Sequence, residues 1–517
     1  MEPVEQGAEA KKAAIRLAVI VGVGWLLRAA PLMRGGGAFG FPVDYDEGVY
    51  FSSAALLVRG MLPYRDFVFV HPPGLLYFLA PMGWLASLIE PASAFGAARW
   101  VATFVGAINI ALLGRVVGRA AGPVAALAAA AFYAVYPDVV TVERGPFLEP
   151  VLNLVCLLLA WVWLRPRERS TGQLVAAGAL LGAAVAVKLW GALWLASCMA
   201  TLSPKRRGRE AVILIAVAGA VCVLLVAPLA VLALDSFAED AVSFHLWRPR
   251  DGTLAWFDRA RSILGSIQLT PRFRTVRFAS TLLALLGIGF AFRRIAGPDS
   301  PQARAGRFFA PAYILITTGF LLSATYWDQY NAHLAVAESA LAGLACAALW
   351  ESAKLRKSRA MAVALAALIT LGLFVEGRRA WLDGRQHSLT LVSLGRYLRQ
   401  SIPNNSCVIA FEPAWGIAGD LLPSRIPGQP LAVDPYAMML LDAYRSGERF
   451  ADTGGAFQSP SSQRQIQRLL DACRFVVMGG RGRWQLSRET QQWLAAHFVQ
   501  RFPSGVDQDL DVWERAR

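Results

Sequence analysis

Three carboxylates lie close together near the start of the chain, at Asp44, Asp46 and Glu47. They follow an apolar stretch, and a carboxylate held at a lipid–water boundary can act as a general base or bind a cation. The alternative is a solvated acidic loop that only forms a turn. Nearby aromatic residues are typical of a membrane interface, and they would lower the local polarity and so adjust a carboxylate pKa. These aromatic residues are Tyr45, Tyr50, Phe51, Tyr64, Phe67 and Phe69.

A second hydrophilic segment, residues 141–149, ends at Glu149, where another apolar stretch begins. A carboxylate in the first turn of a helix is favoured by the helix dipole, which is a purely structural explanation. The functional explanation makes Glu149 the second acid of a site that it shares with Asp46. Arg144 is then either its ion-pair partner or a contact for a phosphate group.

Lys188 lies within an apolar stretch that covers residues 183–190. A lysine inside a bilayer is costly, so its presence indicates a functional site. The structural alternative is a long side chain that extends to the membrane surface. The functional hypothesis is that Lys188 binds an anionic headgroup at the outer leaflet.

Further polar residues are candidates for substrate binding. His71 precedes two prolines and a glycine, Tyr64 lies in a Pro-Tyr-Arg-Asp segment, and Arg99 stands at the entrance of an apolar stretch. His333 and His245 lie in polar, aromatic segments. His333 precedes an apolar stretch, where it either packs in a helix bundle or contacts substrate.

The composition limits the class of protein. Of 517 residues, 56% are hydrophobic and 17% are charged, whereas ordinary soluble domains have about 25% charged residues. This excludes a disordered chain, a disulfide-stapled secreted module and an ordinary cytosolic enzyme. Apolar stretches long enough to cross a bilayer recur along the chain, and they predict a polytopic helical membrane protein.

The net charge of +15 first suggests a nucleic-acid partner. However, the basic residues form short clusters between apolar stretches, as the positive-inside rule predicts for cytoplasmic loops. We therefore expect no nucleic-acid binding. The clusters are Arg115/Arg119, Arg165/Arg167/Arg169, Lys205/Arg206/Arg207/Arg209, Arg293/Arg294/Arg304/Arg307 and Lys354/Arg356/Lys357/Arg359.

Charge counting predicts a cytoplasmic N-terminus and eleven membrane spans. The signs alternate only if residues 72–89 form an interfacial or re-entrant helix rather than a span. Three outer segments follow, at about 34–98, 141–149 and 234–276. The spans are predicted near 15–33, 99–117, 122–140, 150–164, 173–190, 191–203, 211–233, 277–292, 308–323, 331–350 and 360–376.

The sequence pattern changes after the last predicted span, where the long apolar stretches end. Residues 1–387 are predicted to form the membrane module, and residues 388–517 a small α/β domain on the outer side. Short β-type runs at 407–411 and 474–478 alternate with helical stretches at 463–472 and 488–497. Cys407 and Cys473 each precede one of the runs, so adjacent parallel strands would bring them together, either as a disulfide or as free thiols. The other four cysteines lie in apolar stretches and have no metal-site spacing.

The ordered set of motifs resembles a known family. The Asp46-Glu47 pair, the Pro-Tyr-Arg-Asp-Phe segment at 63–67, the His-Pro-Pro-Gly segment at 71–74, Arg99, Glu149 and Lys188 occur in this order. They resemble the polyprenyl-phosphate-sugar-dependent glycosyltransferases with the GT-C fold, of the protein mannosyltransferase and lipid A aminoarabinose transferase type. The resemblance covers roughly residues 15–235 well.

The resemblance implies an inverting transfer from a lipid-phosphate sugar donor to an acceptor hydroxyl. Asp46 and Glu47 then form the catalytic Asp-Glu motif, with Asp46 as the base. Glu149 is the catalytic acid of the second loop, and Lys188 meets the donor phosphate. Many relatives have a lysine where this chain has His71, and an aspartate where it has Glu149. No cofactor is required; a divalent cation is compatible, with Asp46 and Glu149 as its ligands. The predicted substrate-binding residues are Lys188, Arg144, His71, Arg99, Tyr64 and His333.

The sequence thus predicts an integral-membrane glycosyltransferase of a bacterial inner membrane, with membrane lipids, a polyprenyl-phosphate sugar and an envelope lipid, glycan or protein as partners. One alternative is a flippase for lipid-linked sugars, which would need polar groups through the bilayer. Asn109, Asn153 and Glu338 give this alternative little support, and the two asparagines suit helix packing. A sensor or scaffold would leave Lys188 and the acidic loops unexplained.

Overall fold

The computed structural model describes residues 3–165, 169–251, 256–263, 275–292, 300–355, 359–383, 390–403, 406–502 and 510–516. The chain is mostly helical and has one small sheet. Part of the predicted outer segment 234–276 lies outside the described residues. So do five members of the predicted basic clusters, namely Arg167, Arg293, Arg294, Arg356 and Lys357.

The first part of the chain contains helices separated by short connections. They are α1 Pro3–Ala29, α2 Tyr45–Leu57, α3 Gly74–Leu85, α4 Pro91–Val135, α5 Pro137–Val142, α6 Leu148–Trp163, α7 Thr171–Val187, α8 Trp194–Met199, α9 Arg207–Ala230, α10 Leu234–Phe237, α11 Phe244–Trp247, α12 Trp256–Ile263, α13 Thr275–Phe292, α14 Pro301–Leu322, α15 Asn331–Leu355 and α16 Arg359–Asp383.

The last part of the chain mixes helices and strands, as the sequence predicts. Its elements are α17 Thr390–Ser401, β1 Val408–Ala410, α18 Pro413–Ala418, α19 Pro435–Arg445, α20 Thr453–Phe457, α21 Pro460–Ala472, β2 Phe475–Gly479, α22 Gly480–Gln485, α23 Arg488–His497, β3 Phe498–Phe502 and β4 Leu510–Arg515.

Among the described residues, four helical segments are long and apolar enough to cross a membrane: Pro91–Val135, Arg207–Ala230, Pro301–Leu322 and Asp328–Ala353. Two predicted spans, 99–117 and 122–140, fall largely within α4, which is interrupted at Gly122 (φ 83°). The predicted interfacial helix at 72–89 corresponds to α3, whose 12 residues extend about 18 Å, too short to cross a bilayer. The number and direction of the spans stay predictions.

The chain divides into two compact units, and the first consists of residues 1–30, 101–225 and 254–385. Helix α15 is almost entirely buried in it, with α13 and α14 packed against it. Gly287 of α13 permits this approach, because a side chain there would collide with the backbone of Leu341. Small residues at such contacts are typical of helices that pack within membranes.

The second unit consists of residues 31–100, 226–253 and 386–517. Its sheet has the strand order β1-β2-β4-β3, and β1 and β2 are parallel. A single apolar core joins Phe51 of α2 and Phe95 of α4 to Leu394, Ile417 and the buried strand β2. The N-terminal acidic segment and the C-terminal elements therefore fold together. The predicted division at 387/388 stays a prediction.

Cys407 and Cys473 form a disulfide, with their Cα atoms 4.8 Å apart. Cys407 directly precedes β1 and Cys473 lies two residues before the start of β2, and the parallel register pairs Val408 with Phe475. The sequence is compatible with either a disulfide or two free thiols, and the structure contains the disulfide.

Candidate active site

Helix α2 begins with a capping box that uses two of the three clustered carboxylates. The Asp44 side chain accepts a hydrogen bond from the Asp46 amide at 3.0 Å. Glu47 Oε1 accepts one from the Asp44 amide at 3.0 Å. These reciprocal bonds satisfy N–H groups that the start of a helix leaves unpaired. The Asp-x-x-Glu spacing thus fixes the start of α2 and places Asp46 in its first turn.

Glu47 is buried and forms a two-pronged ion pair with Arg99. Arg99 Nε lies 2.7 Å from Glu47 Oε2, and Nη2 lies 2.9 Å from Oε1. The same guanidinium donates to the carbonyl oxygens of Ala38 and Pro42. A catalytic role was predicted for Glu47 and a substrate-binding role for Arg99. The geometry favours positioning roles for both, because they bind each other and the backbone of the preceding loop.

Asp46 remains half-buried at the edge of this arrangement. Its Oδ2 lies 3.5 Å from Tyr50 Oη, and the same hydroxyl lies 3.3 Å from His71 Nε2. Tyr64 Oη donates to the His71 carbonyl at 2.6 Å. Burial holds the pKa of Tyr64 well above its ordinary value, so this hydroxyl stays protonated as a donor. The structure therefore connects three predicted residues, because Tyr50 lies between Asp46 and the His71 ring, and Tyr64 binds the His71 backbone.

Glu149 and Lys188 meet in the first unit. Helix α7 ends at Val187, and Lys188 has an extended backbone (φ −155°, ψ 137°) before a 3₁₀ turn at Leu189–Leu193. Lys188 Nζ lies 2.5 Å from Glu149 Oε1 and 4.3 Å from the ring centre of Tyr330. The Lys188 side chain is 7% exposed. The helix interruption therefore turns the ammonium towards a carboxylate rather than leaving it free to extend to the membrane surface.

Arg144 and His333 are engaged in packing contacts within the first unit. Arg144 Nη2 donates to the carbonyls of Leu27 at 2.8 Å and Ala380 at 3.1 Å. His333 Nε2 lies 3.2 Å from Trp194 Nε1, and Nδ1 lies 2.8 Å from Asn153 Oδ1. An indole N–H can only donate, so His333 Nε2 accepts and Nδ1 carries the proton. These contacts favour packing roles for both predicted substrate-binding residues.

Residues 69–257 match the family model of Glycosyltransferase family 87. The matched segment contains His71, Arg99 and the pair Glu149–Lys188, and it begins after Asp46. No curated protein matches the chain by sequence.

Two kinds of solved structure resemble the chain over nearly all of its length. ArnT from Cupriavidus metallidurans, bound to undecaprenyl phosphate, is 16% identical with a TM-score of 0.62, over 96% of this chain and 97% of that chain. The Archaeoglobus fulgidus oligosaccharyltransferase, tethered to an acceptor peptide with the NVT sequon, is 13% identical with a TM-score of 0.60, over 98% of this chain and 74% of that chain.

The chain has the GT-C glycosyltransferase fold. The GT-C fold that the resemblance implies is confirmed. The GT-C fold and the helices that are long and apolar enough to cross a membrane indicate an integral membrane protein.

The GT-C chain also contains a buried polar network that the sequence analysis missed. Arg28 Nε lies 2.7 Å from Glu143 Oε2, while Asn109 Nδ2 and Tyr133 Oη each donate to Glu143 Oε1 at 2.8 Å. The missing side chain of Gly106 leaves the space for this ion pair. Arg28 lies inside the first predicted span, and a charge in such a position was the signal that also singled out Lys188.

The described residues contain no group of three or more His, Cys, Asp or Glu side chains arranged to hold a metal ion. Asp46 belongs to the second unit of the GT-C chain, and Glu149 to the first. The divalent cation between these two acids, and the cavity that they would share with Lys188, stay predictions.

Proposed function

We propose that this GT-C chain is an inverting glycosyltransferase of cell-envelope assembly. It would transfer a sugar from a polyprenyl-phosphate donor to a hydroxyl group of an envelope lipid, glycan or protein. Two observations support the substrate classes: the ArnT structure contains undecaprenyl phosphate, and the oligosaccharyltransferase structure contains an acceptor peptide. We place the reaction at the outer face of a bacterial inner membrane, with the N-terminus in the cytoplasm.

The observation that carries the proposal is the buried Glu149–Lys188 pair at an interruption of an apolar helix. A packing role alone would be served as well by apolar residues of similar size, because a buried ion pair is seldom more stable than such a replacement. A fixed ammonium in a site of low polarity stabilises negative charge on a departing phosphate, and it does so more strongly in the transition state than in the ground state.

In the proposed reaction, the acceptor oxygen attacks the anomeric carbon of the donor. The bond between that carbon and the phosphate oxygen breaks, and the phosphate leaves with the electron pair. The proton of the acceptor hydroxyl moves to the Asp46 carboxylate, which is the half-buried member of the acidic segment. Lys188 neutralises the charge that develops on the phosphate, and Glu149 orients Lys188. Attack from the face opposite the leaving group inverts the anomeric configuration.

The test is donor consumption by the purified chain in detergent. A panel of radiolabelled undecaprenyl-phosphate hexoses and pentoses is incubated with the chain, with and without an envelope extract as acceptor. We expect at least one donor to be consumed, and the Asp46→Asn variant to be inactive. An exposed acid, Asp235, provides the matched control variant Asp235→Asn. Consumption of no donor by the unaltered chain would contradict the proposal.

The same experiment separates a transferase from a flippase, which consumes no donor in detergent. The polar side chains that a flippase path would use are already engaged. Asn109 binds Glu143, and Asn153 binds His333 at 2.8 Å. These contacts support helix packing for the two asparagines.

A further inference from the structure

The segment between α9 and α12 contains a buried acid, Asp240, that the sequence did not predict as a site residue. Asp240 lies in a π-helical turn at Ala238–Ser243, and it is 1% exposed. π-Helical turns are rare in proteins overall, and those that occur are often found at functional sites. Asp240 Oδ2 accepts a hydrogen bond from the Phe69 amide at 3.3 Å. The acid therefore holds the backbone of residue 69, two residues before His71.

His245 binds the next residue of the same backbone. Its Nε2 lies 2.6 Å from the Val70 carbonyl oxygen, so Nε2 must carry the proton and donate it. The rings of His245 and His71 are stacked, with centroids 5.3 Å apart and planes 23° from parallel. Asp240 and His245 thus bind the amide of residue 69 and the carbonyl of residue 70, and His245 also supports the His71 ring.

His71 in turn leads to the proposed base. Tyr50 Oη lies 3.3 Å from His71 Nε2 and 3.5 Å from Asp46 Oδ2. Any displacement of residues 69–71 would therefore move the hydroxyl beside Asp46 or break its contact with His71.

Helix α19, in the C-terminal part of the chain, contacts the segment that contains Asp240 at two points. Arg445 Nη2 and Nε lie 2.5 Å and 2.8 Å from Glu239 Oε2. This ion pair is partly exposed and contributes little by itself. The second contact is the stacking of Trp247 on Tyr444, with ring planes 5° from parallel. Together they hold both ends of the segment that carries Asp240 and His245.

We propose that Asp240 and His245 are positioning residues for Asp46, acting through residues 69–71 and Tyr50, and that α19 holds them in place. This inference rests on the proposed function and gives the C-terminal part of the chain a role in it. Misplacing a catalytic group by about 1 Å costs on the order of 100-fold in rate. The two hydrogen bonds to Phe69 and Val70 are the contacts that would prevent such a displacement.

The test combines amide hydrogen exchange with donor kinetics on the full-length chain in detergent. In Asp240→Ala the Phe69 amide loses its acceptor, and we expect about tenfold faster exchange, the factor that one hydrogen bond of typical strength provides. Asp240→Asn retains a side-chain oxygen, so it should restore slow exchange. The double variant Tyr444→Ala/Arg445→Gln removes both contacts from α19 and should accelerate exchange across residues 67–71, and the exposed control Arg464→Gln should not.

In the kinetic measurement, Asp240→Ala should lower kcat by about 10- to 100-fold with little change in the donor KM, and Asp240→Asn should recover most of it. Unchanged Phe69 exchange in Asp240→Ala, or equal losses in the Ala and Asn variants, would overturn the inference. If the unaltered chain consumes no donor, the proposed function fails, while the exchange data still decide whether Asp240 holds residue 69.

Discussion

Lys188 and Glu149 form a buried ion pair, with Nζ 2.5 Å from Oε1 and side chains 7% and 3% exposed. Lys188→Met leaves the Glu149 carboxylate without its countercharge, and removing one partner of such a pair costs about 3–5 kcal/mol. We expect a clear fall in the thermal unfolding midpoint in detergent. The double variant Lys188→Met/Glu149→Gln removes both charges and should recover most of that fall.

The same variants separate stability from chemistry. If Lys188 meets the donor phosphate, donor consumption by the double variant stays strongly reduced although the variant is stable. Lys188→Ala should raise the donor KM more than the acceptor KM. Restored donor consumption in the double variant would mean that Lys188 and Glu149 have only a packing role. Unchanged donor kinetics in Lys188→Ala would do the same.

Asp46 and Glu47 are neighbours in the sequence, and we expect opposite effects from their amide substitutions. Asp46→Asn should abolish transfer with little change in the unfolding midpoint, because the Asp46 carboxylate is half-buried and its 3.5 Å contact with Tyr50 Oη is one that an amide oxygen can keep. Glu47→Gln should lower the midpoint, because the buried Arg99 loses its countercharge, a change of about 3–5 kcal/mol. Circular dichroism melts and donor consumption, measured on both variants, check this. Equal destabilisation by the two substitutions would contradict the separation of roles.

The sequence could indicate which residues are unusual but not which distant residue each one binds. Lys188 was identified because a charge in an apolar stretch is costly, and the structure accounts for it with Glu149. The same rule applied to Arg28 would have indicated a partner. Arg144 and His333 have suitable residue types for a site, yet the structure engages them with carbonyls, Trp194 and Asn153. Such pairings depend on tertiary packing, which no local spacing encodes.

Local structure was easier to predict, because it depends on nearby residues. The run at 407–411 contains β1, the run at 474–478 covers all of β2 except its last residue, and the stretch at 488–497 coincides with α23. The break at Gly122 could also be predicted, because glycine tolerates a positive φ and the proline that follows it directly favours the start of a new helix. In the structure Gly122 has φ 83° and interrupts α4. The sequence could not predict that residues 31–100 and 226–253 assemble with the C-terminal elements, because this assembly depends on contacts between residues that are far apart in the sequence.

Gly48 tests the packing of the acidic segment. It lies one residue after Glu47 in α2, and a side chain there would collide with the backbone of Ala414 in α18. Gly48→Ala should therefore displace α2, lower the unfolding midpoint and reduce donor consumption. Gly35→Ala is the matched control, because no atom lies within 4 Å of the position of its added Cβ. A Gly48→Ala variant with the stability and activity of the control would show that α2 tolerates the shift.

Asp240 should make the stability of the chain depend on pH. Its pKa is raised to about 7, chiefly by burial and to a smaller extent by Glu239 and Asp434, against the Phe69 amide and Arg445, which lower it. Tyr64 also faces it. In the unfolded chain an aspartate has a pKa of about 3.9. Between these values the folded chain binds more protons than the unfolded chain, so this group lowers stability as the pH rises from about 4 to about 7.

Asp240→Asn removes that contribution. We expect the unfolding midpoint of the variant to fall less than that of the unaltered chain between about pH 5 and pH 7.5. Glu412, whose pKa burial also raises to about 7, is present in both proteins, so the difference between them reports Asp240 alone. Asp235→Asn should follow the unaltered chain. Parallel pH profiles for Asp240→Asn and the unaltered chain would contradict the assignment.

The disulfide between Cys407 and Cys473 should stabilise the C-terminal elements. It closes a loop across a sequence separation of 66, for which the chain-entropy relation gives about 4 kcal/mol. The double variant Cys407→Ala/Cys473→Ala should therefore unfold at a lower temperature. Reducing agent should lower the midpoint of the unaltered chain but not that of the variant, because the other four cysteines are free thiols. An equal response of both proteins to reducing agent would mean that the two thiols are not joined in the purified chain.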